Sequence, residues 1–230
     1  MAHSTPSTGD QPTAIVYTDR WMRRYDLIVC TLSTRLAWGC SEPRLVEHYR
    51  RNLRERHLDV GVGTGKLLDT AGAPAGRADF DELHMLDINA VPLQMTAHRL
   101  RRFSPVTHQA DALATWPLED DSLTSVCASL MLHTLPDQGR GFAAKTAFFD
   151  QAARVLAPGG RFFGSTIVND VPFARRWPVA RLLISTYNKR DFFTNANDSS
   201  TDLRAELEAR FDNVRVRVRG CTALWEADAR

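Results

Sequence analysis

The chain has 230 residues, which suits one domain with a full core, and its formal net charge of +2 gives no bulk attraction to nucleic acid or to an anionic membrane. The four cysteines lie too far apart in sequence for a Cys-x-x-Cys metal or redox pair. No apolar run approaches the roughly 20 residues that span a bilayer. We therefore expect a reduced, cytoplasmic protein with neither a membrane nor a nucleic-acid partner.

The N-terminal region divides into a polar part and an apolar-periodic part. Residues 1–12 are almost free of apolar side chains and are expected to be a disordered tail, with a single domain over 13–230. From Ala14 to about Trp38 apolar residues recur at helical spacing, and a second helix is expected after Pro43. The helices that would cover the sheet are already assigned to later segments of the chain. Residues 13–56 are therefore predicted to form a helical lid.

A short apolar stretch, His57 to Gly65, contains an acid and ends in three alternate glycines. It predicts a buried strand and a tight turn that opens a helix, since glycine allows positive φ and leaves room for a ligand. A Walker loop would need glycine at Val60 and a hydroxyl at Leu67, and a dinucleotide fingerprint would need glycine at Lys66. The stretch therefore predicts a nucleotide-sized binding site that is neither a Walker loop nor a dinucleotide fingerprint. The alternative is an ordinary glycine-rich turn without a ligand.

Beyond this turn, strands and helices alternate. Strands are predicted at 83–88, 105–111, 123–132 and 161–168, and helices at 91–103 and 142–156. An insertion at 169–200, a helix from Ser200 and a hairpin of 214–219 with 222–226 follow. The arginines that alternate along the hairpin are expected to face solvent. The pattern predicts an α/β fold with a doubly wound, seven-stranded sheet and one antiparallel strand.

Several short motifs, in order and spacing, resemble the class I S-adenosylmethionine (SAM) dependent methyltransferases, and among them the small-molecule enzymes of the ubiquinone-biosynthesis type and of secondary metabolism. They are Asp59 to Gly65, Leu86 to Asn89, Asp111, Trp116-Pro117, Leu132 to Pro136 and Arg154 to Gly160. The resemblance implies a Rossmann-like sheet of order 3-2-1-4-5-7-6 with strand 7 antiparallel. It also implies SAM as cofactor and methyl transfer to an oxygen, sulfur, nitrogen or carbon of a small, fairly apolar metabolite.

Acids at the carboxyl ends of the strands carry the cofactor hypothesis. Asp87 is placed to accept both ribose hydroxyls, Asp111 resembles the family acid at the adenine amino group, and Asp59 would meet turn amides or the methionine amino group. A helix cap or loop acid is the alternative for Asp87, and a structural role is the alternative for Asp111. The predicted cofactor-binding residues are Tyr25, Asp59, Gly61, Gly63, Thr64, Gly65, Asp87, Ile88, Asp111, Ala112 and Ser129. No metal is expected, because these motifs form no ligand cluster of metal type.

The acceptor is expected to meet aromatic residues of the lid and of the 169–200 insertion, with Trp38, Tyr187 and Phe193 as the predicted contacts. His133 follows the fourth strand and is the candidate general base, with a structural histidine as the alternative. Losing a base would lower turnover on the order of 10²-fold. Activity would then fall as pH drops through the imidazole range.

The residues after strand four narrow the acceptor class. Methyltransferases of DNA bases or glutamine carry Asn/Asp-Pro-Pro-Tyr there, whereas this chain has Ser129 to Leu132 in the sequence Ser-Leu-Met-Leu. A small-molecule substrate is therefore favoured. Two other readings stay open: an enzyme of this fold that catalyses a cyclisation or pericyclic step without methylation, and a SAM-binding regulatory protein. The acceptor's identity and the oligomeric state are not predicted.

Overall fold

The computed structural model describes residues 37–173 and 177–230. Its strands are β1 (Arg56–Val60), β2 (Glu82–Asp87), β3 (Val106–Gln109), β4 (Leu123–Ser129), β5 (Leu156–Ile167), β6 (Phe211–Arg219) and β7 (Thr222–Ala229). They form one seven-stranded sheet of order β3-β2-β1-β4-β5-β7-β6. Strands β1 to β5 pair in parallel, and β7 is antiparallel to both β5 and β6. The predicted fold class and strand order are confirmed.

Helices connect the parallel strands and cover the sheet. They are α1 (Glu42–Asn52), α2 (Lys66–Ala71), α3 (Ala90–Arg99), α4 (Thr146–Val155), α5 (Pro178–Lys189) and α6 (Ser200–Glu208), with 3-10 turns at Arg101–Phe103, Leu132–Thr134 and Gly141–Ala144. Apolar clusters lie on both faces of the sheet, one around Phe148 and Trp225 and the other around Leu68 and Phe103. Burial on both faces explains why successive residues of β4, from Ser125 to Ala128, are all buried rather than alternately exposed.

The register of the parallel strands brings the ends of β1, β2 and β4 together. Asp59 pairs with Cys127, and Val60 pairs with Leu86. The turn after β1 and Asp87 at the end of β2 therefore lie together at the carboxyl ends of the parallel strands, which we call the sheet edge. This edge, beside the point where the strand order reverses, is where ligands bind in open α/β sheets.

Some predicted boundaries are wrong, and packing explains them. The helix predicted from residue 142 begins at Thr146, because Lys145 has φ −103 and ψ 12 and its buried side chain turns inward. Strand β5 begins at Leu156 rather than at residue 161, since Leu156 already pairs with Leu123 before a register shift. Gly159 takes up that irregularity with φ +75. The sequence pattern placed the end of the helix one residue late and the start of the strand five residues late.

The hairpin and the N-terminal region complete the description. Arg215, Arg217 and Arg219 are exposed along β6, as predicted. The predicted tail at 1–12, Tyr25 and most of the predicted lid helix lie outside the described residues, so the tail and the lid role of 13–56 stay predictions. Within the described ranges, α1 is a packed helix, and no helix has the length and apolar character to cross a bilayer.

Candidate active site

The glycine turn after β1 has three residues with positive φ, Gly61 at +70°, Gly63 at +51° and Gly65 at +68°. A side chain at Gly61 would collide with Met131, and one at Gly65 would collide with Thr96. At Gly63 an added Cβ would have no neighbour within 4 Å. Two of the glycines are thus required by internal packing, and the third borders open space that a ligand can fill.

Two carboxyl groups stand beside this turn. Asp87 Oδ1 accepts from the backbone N–H of Asn89 at 2.9 Å, and the amides of Val62 and Gly63 also stabilise the charged form. Burial raises the pKa of Asp87 despite these donors. Burial also raises the pKa of Asp59 to about 7, with the negative charge of Asp87 adding to the effect. Two carboxyls that resist ionisation side by side favour a positively charged ligand.

The remaining predicted cofactor residues surround the same sheet edge. Ile88 follows Asp87 and is 56% exposed, an apolar surface suited to a flat ring. Beyond β3, Asp111 Oδ1 accepts from Leu113 N at 2.9 Å, and Ala112 is buried. Ser129 ends β4 with its hydroxyl 2.7 Å from that of Ser165. Thr64 is buried within the turn. Their roles toward a cofactor stay predictions.

Four side chains form what we call the aromatic cluster: Trp38, His133, Tyr187 and Phe193. Ring centroids are 5.7 Å apart for Trp38 and Phe193, 5.0 Å for Tyr187 and Phe193, and 4.3 Å for His133 and Phe193. The three predicted acceptor contacts and the candidate base are therefore together, although they are distant in sequence. The cluster lies near the carboxyl ends of β4 and β5, with Tyr187 and Phe193 half-buried and Trp38 buried behind them.

His133 is 4% exposed within this cluster. Its Nδ1 lies 3.4 Å from Thr166 Oγ1 and 3.5 Å from the backbone N of Ile167, while its carbonyl accepts from Thr194 N at 2.9 Å. Burial lowers the pKa of His133 to about 3, and the positive charge of Lys145 acts in the same direction. The imidazole is neutral at physiological pH. Since an imidazole of this pKa does not change its charge in the ordinary imidazole range, the predicted fall of activity as pH drops through that range is corrected. The role of His133 as general base stays a prediction.

Two interactions at this edge were missed by sequence reasoning. The Tyr49 hydroxyl donates to both oxygens of Asp59 at 3.3 Å, and the Lys145 ammonium contacts Asp198 at 2.6 and 2.9 Å. Tyr49 was interpreted only as an apolar position of a helix, and Lys145 only through its aliphatic stem. Neither pair has a spacing pattern that could have indicated it, because each joins separate elements.

Other features of the described chain do not compete with this site. Across residues 37–173 and 177–230, no group of three or more His, Cys, Asp or Glu side chains is arranged to hold a metal. Two open cavities of about 420 and 570 Å³ lie between α5 and the loops around residues 169 and 197. Neither is lined by the glycine turn or by the aromatic cluster.

Comparison with known proteins identifies the family of this chain. Residues 58–164 match the Methyltransferase domain family. Over 214 residues the chain is 36% identical to demethylluteothin O-methyltransferase of Streptomyces thioluteus, covering 92% of this chain and 88% of that relative. The chain belongs to the class I SAM-dependent methyltransferases. This methyltransferase is also 31% identical over 196 residues to N-methyltransferase vrtF of Penicillium aethiopicum, covering 83% and 76% of the two chains.

The fold of this methyltransferase agrees with that of solved relatives. A SAM-dependent methyltransferase from Thermotoga maritima superposes with a TM-score of 0.64 at 15% identity, covering 92% of this chain and 97% of that one. The resemblance inferred from the motifs is thus confirmed. The two sequence relatives are named for methylation at oxygen and at nitrogen. Family membership therefore leaves the acceptor atom open.

Proposed function

We propose that this methyltransferase binds SAM at the glycine turn and transfers its methyl group to an acidic hydroxyl of a small, partly apolar secondary metabolite. The observation that carries the proposal is the open space at Gly63, flanked by the buried carboxyl of Asp59 and the half-buried carboxyl of Asp87, with the aromatic cluster beyond β4. Bound SAM supplies an electrophilic methyl group on a positively charged sulfur. The residues present fit such a ligand in shape and in charge.

Each part of the sheet edge has a distinct task in this proposal. The turn around Gly63 admits the nucleoside without steric hindrance, and Asp87 accepts hydrogen bonds from the ribose. Ile88 and Asp111 hold the adenine by apolar contact and by hydrogen bonding. Asp59 receives the ammonium group of the methionine part. A cation offsets the repulsion between the Asp59 and Asp87 carboxylates.

The acceptor is placed by the aromatic cluster. Tyr187 and Phe193, backed by the buried Trp38, offer a surface for a ring and exclude water, which favours a reaction that neutralises charge. Much of the rate then comes from holding the acceptor in line with the methyl group. Because His133 is neutral and a weak base, an enol or phenol that ionises readily is the best match. The O-methyltransferase relative supports oxygen, and transfer to nitrogen is the competing outcome.

The proposal also covers the partner, the cellular compartment and the absence of a metal from the transfer. A small molecule is the partner, without nucleic acid or membrane. Cys40, Cys127 and Cys221 are free and buried, which fits a reducing cytoplasm. No metal takes part in the proposed transfer, and chelator should therefore leave donor binding unchanged.

Calorimetric titration with S-adenosylhomocysteine (SAH) tests the donor site. Asp87→Ala should weaken binding by about 1.5–3 kcal/mol, the scale for a hydrogen bond to a charged acceptor. Asp87→Asn separates the two roles of this residue, since its amide oxygen can still accept from Asn89 N but carries no charge. The matched control is Asp79→Ala, an exposed acid that accepts from Phe80 N at 2.8 Å.

Each result of this titration either supports or contradicts the donor site. Unchanged affinity in Asp87→Ala would reduce Asp87 to a cap, and failure of the parent protein to bind SAH would refute the donor assignment. The acceptor class is tested by incubating the protein with methyl-labelled SAM and a panel of phenols, enols and amines. Label recovered in an O–CH₃ group supports the proposal, whereas label on nitrogen alone overturns the choice of atom.

A further inference from the structure

Tyr49 on α1 reaches the carboxylate of Asp59 on β1. Its hydroxyl lies 3.3 Å from each carboxylate oxygen, and both residues are only 3% exposed. The Tyr49 ring packs edge-on against Phe163, with centroids 5.5 Å apart and planes at 90°. The ring is thus held by packing, with the hydroxyl directed at the acid and also in contact with the side chains of Cys127 and Ser129.

Other titratable groups face Asp59 from the neighbouring strands. Asp87 approaches from the end of β2, and its charge disfavours ionisation of Asp59. Cys127 on β4 pairs with Asp59 in register and contacts the Tyr49 hydroxyl. His57 lies two residues earlier on β1 and is neutral, because burial lowers its pKa to about 3. Against burial and the Asp87 charge, Tyr49 supplies the hydrogen bond that favours the ionised carboxylate.

We propose that Tyr49 is a positioning residue for the methyl donor: its hydroxyl favours the ionised form of the Asp59 carboxyl and fixes its orientation toward the donor's ammonium group. The inference rests on the proposed function, since it assumes that the donor binds beside Asp59. It assigns the task to one oxygen atom, because the tyrosine ring contributes packing alone.

The sign of the effect follows from the charge. An ammonium group binds the ionised form of Asp59, so affinity should rise with pH through the pKa of that carboxyl, which burial raises to about 7. A hydrogen bond to the charged form lowers the pKa. Removing the Tyr49 hydroxyl should therefore move the rise of affinity upward by about one to two pH units, the equivalent of one hydrogen bond to a charged acceptor.

The experiment is calorimetric binding of SAH between pH 6 and about 9, a range that includes the expected shift, to the parent, Tyr49→Phe, Asp59→Asn and the double variant. Tyr49→Phe retains the ring that packs on Phe163. We expect its binding midpoint to shift to higher pH and the profile of Asp59→Asn to be flat. In the Asp59→Asn background, removing the hydroxyl should have no further effect on affinity, which isolates the pairwise interaction.

Each other outcome counts against the inference. An unshifted midpoint in Tyr49→Phe, or an equal loss of affinity in the Asp59→Asn background, would overturn it while leaving SAM binding intact. If the parent binds no SAH at any pH, the proposed function fails and the inference fails with it. If Tyr49→Phe does not fold, 3-fluorotyrosine at position 49 provides a stronger hydrogen-bond donor to Asp59. The midpoint of SAH affinity against pH must then move to lower pH in that variant. An unchanged midpoint would refute the positioning role of Tyr49.

Discussion

Lys145 and Asp198 form an ion pair in which neither side chain is exposed, with Lys145 Nζ 2.6 Å from one carboxylate oxygen and 2.9 Å from the other. Lys145 lies at the start of α4, and Asp198 lies in the loop before α6. The Asp198 carbonyl also accepts from Asn169 N at 2.9 Å. The pair therefore anchors the 169–200 insertion, which carries Tyr187 and Phe193, to the main helical layer.

Breaking this pair should be costly. Lys145→Met leaves a buried carboxylate without its partner, and we expect the free energy of unfolding to fall by about 3–5 kcal/mol. The double variant Lys145→Met/Asp198→Leu removes both charges and should recover a large part of that loss. Urea denaturation measures each variant. As a control, Arg51→Met breaks the exposed Arg51–Glu47 pair and should change stability by less than about 1 kcal/mol. Equal costs for both pairs would contradict the anchoring role.

Gly63 and Gly76 offer a matched test of the donor site. Both have positive φ, and at both an added Cβ would have no neighbour within 4 Å. Alanine at either position should therefore cost about 1–2 kcal/mol of stability through backbone strain alone. Gly63→Ala should in addition lower SAH affinity at least about tenfold, a loss of roughly 1.4 kcal/mol, because its methyl group occupies the ligand's space. Equal SAH affinity in the two variants would place the ligand elsewhere.

The sheet was predictable because its information is local. Most strands have a local apolar or alternating pattern, and the family resemblance carried by the motifs from Asp59 to Gly65 onward implied the order of the strands. The predicted cofactor residues come together for the same reason, since parallel strands end at one edge.

Interactions between elements could not be predicted in this way. The Tyr49 hydroxyl meets Asp59 only through the packing of α1 on the sheet, and Lys145 meets Asp198 across 53 residues of chain. The low pKa of His133 likewise depends on burial beneath Phe193 and on the nearby charge of Lys145. Pattern identifies the residue types at a site, whereas their charge states depend on tertiary packing.

His57 should make the protein sensitive to acid. It stacks between Phe80 and Phe163, and burial lowers its pKa from the ordinary 6.5 to about 3. As pH falls below 6.5, the unfolded chain binds a proton that the folded chain refuses, so stability present above pH 6.5 is lost on acidification. His133 acts in the same direction. Asp59 acts oppositely, because its raised pKa lets the folded chain hold a proton up to about pH 7.

His57→Leu should therefore reduce the pH dependence of stability. Between pH 4.5 and 6 the slope of unfolding free energy against pH should be smaller than in the parent by about 1.4 kcal/mol per pH unit, the value for one proton. Urea denaturation at several pH values gives both slopes. His98→Ala removes an exposed histidine on α3 and should keep the parent's slope. Identical slopes in His57→Leu and the parent would mean that His57 is protonated in the folded state.

We expect His133 to stabilise the ionised acceptor rather than to remove its proton. Its Nδ1 faces the backbone N–H of Ile167, which can only donate, so the proton of the neutral ring belongs on Nε2. A ring in that state can donate a hydrogen bond to an acceptor oxygen that has already ionised. We expect His133→Asn to lower kcat by about tenfold to a hundredfold, the effect of one lost hydrogen bond to a charged group. SAH affinity should stay within about twofold of the parent value, since the residue lies on the acceptor side.

The pH profile separates this role from that of a general base. Because burial lowers the pKa of His133 to about 3, the kcat of the parent should show no His133-dependent step between pH 5.5 and 8. Any rise of kcat with pH should follow the pKa of the acceptor hydroxyl and should move when a more acidic phenol is used. An acid limb with a midpoint near 6.5 that disappears in His133→Asn would instead show that the imidazole titrates and acts as the base. Retention of more than a third of parental turnover, a loss of less than roughly 0.7 kcal/mol in transition-state stabilisation, would leave His133 with a packing role beneath Phe193.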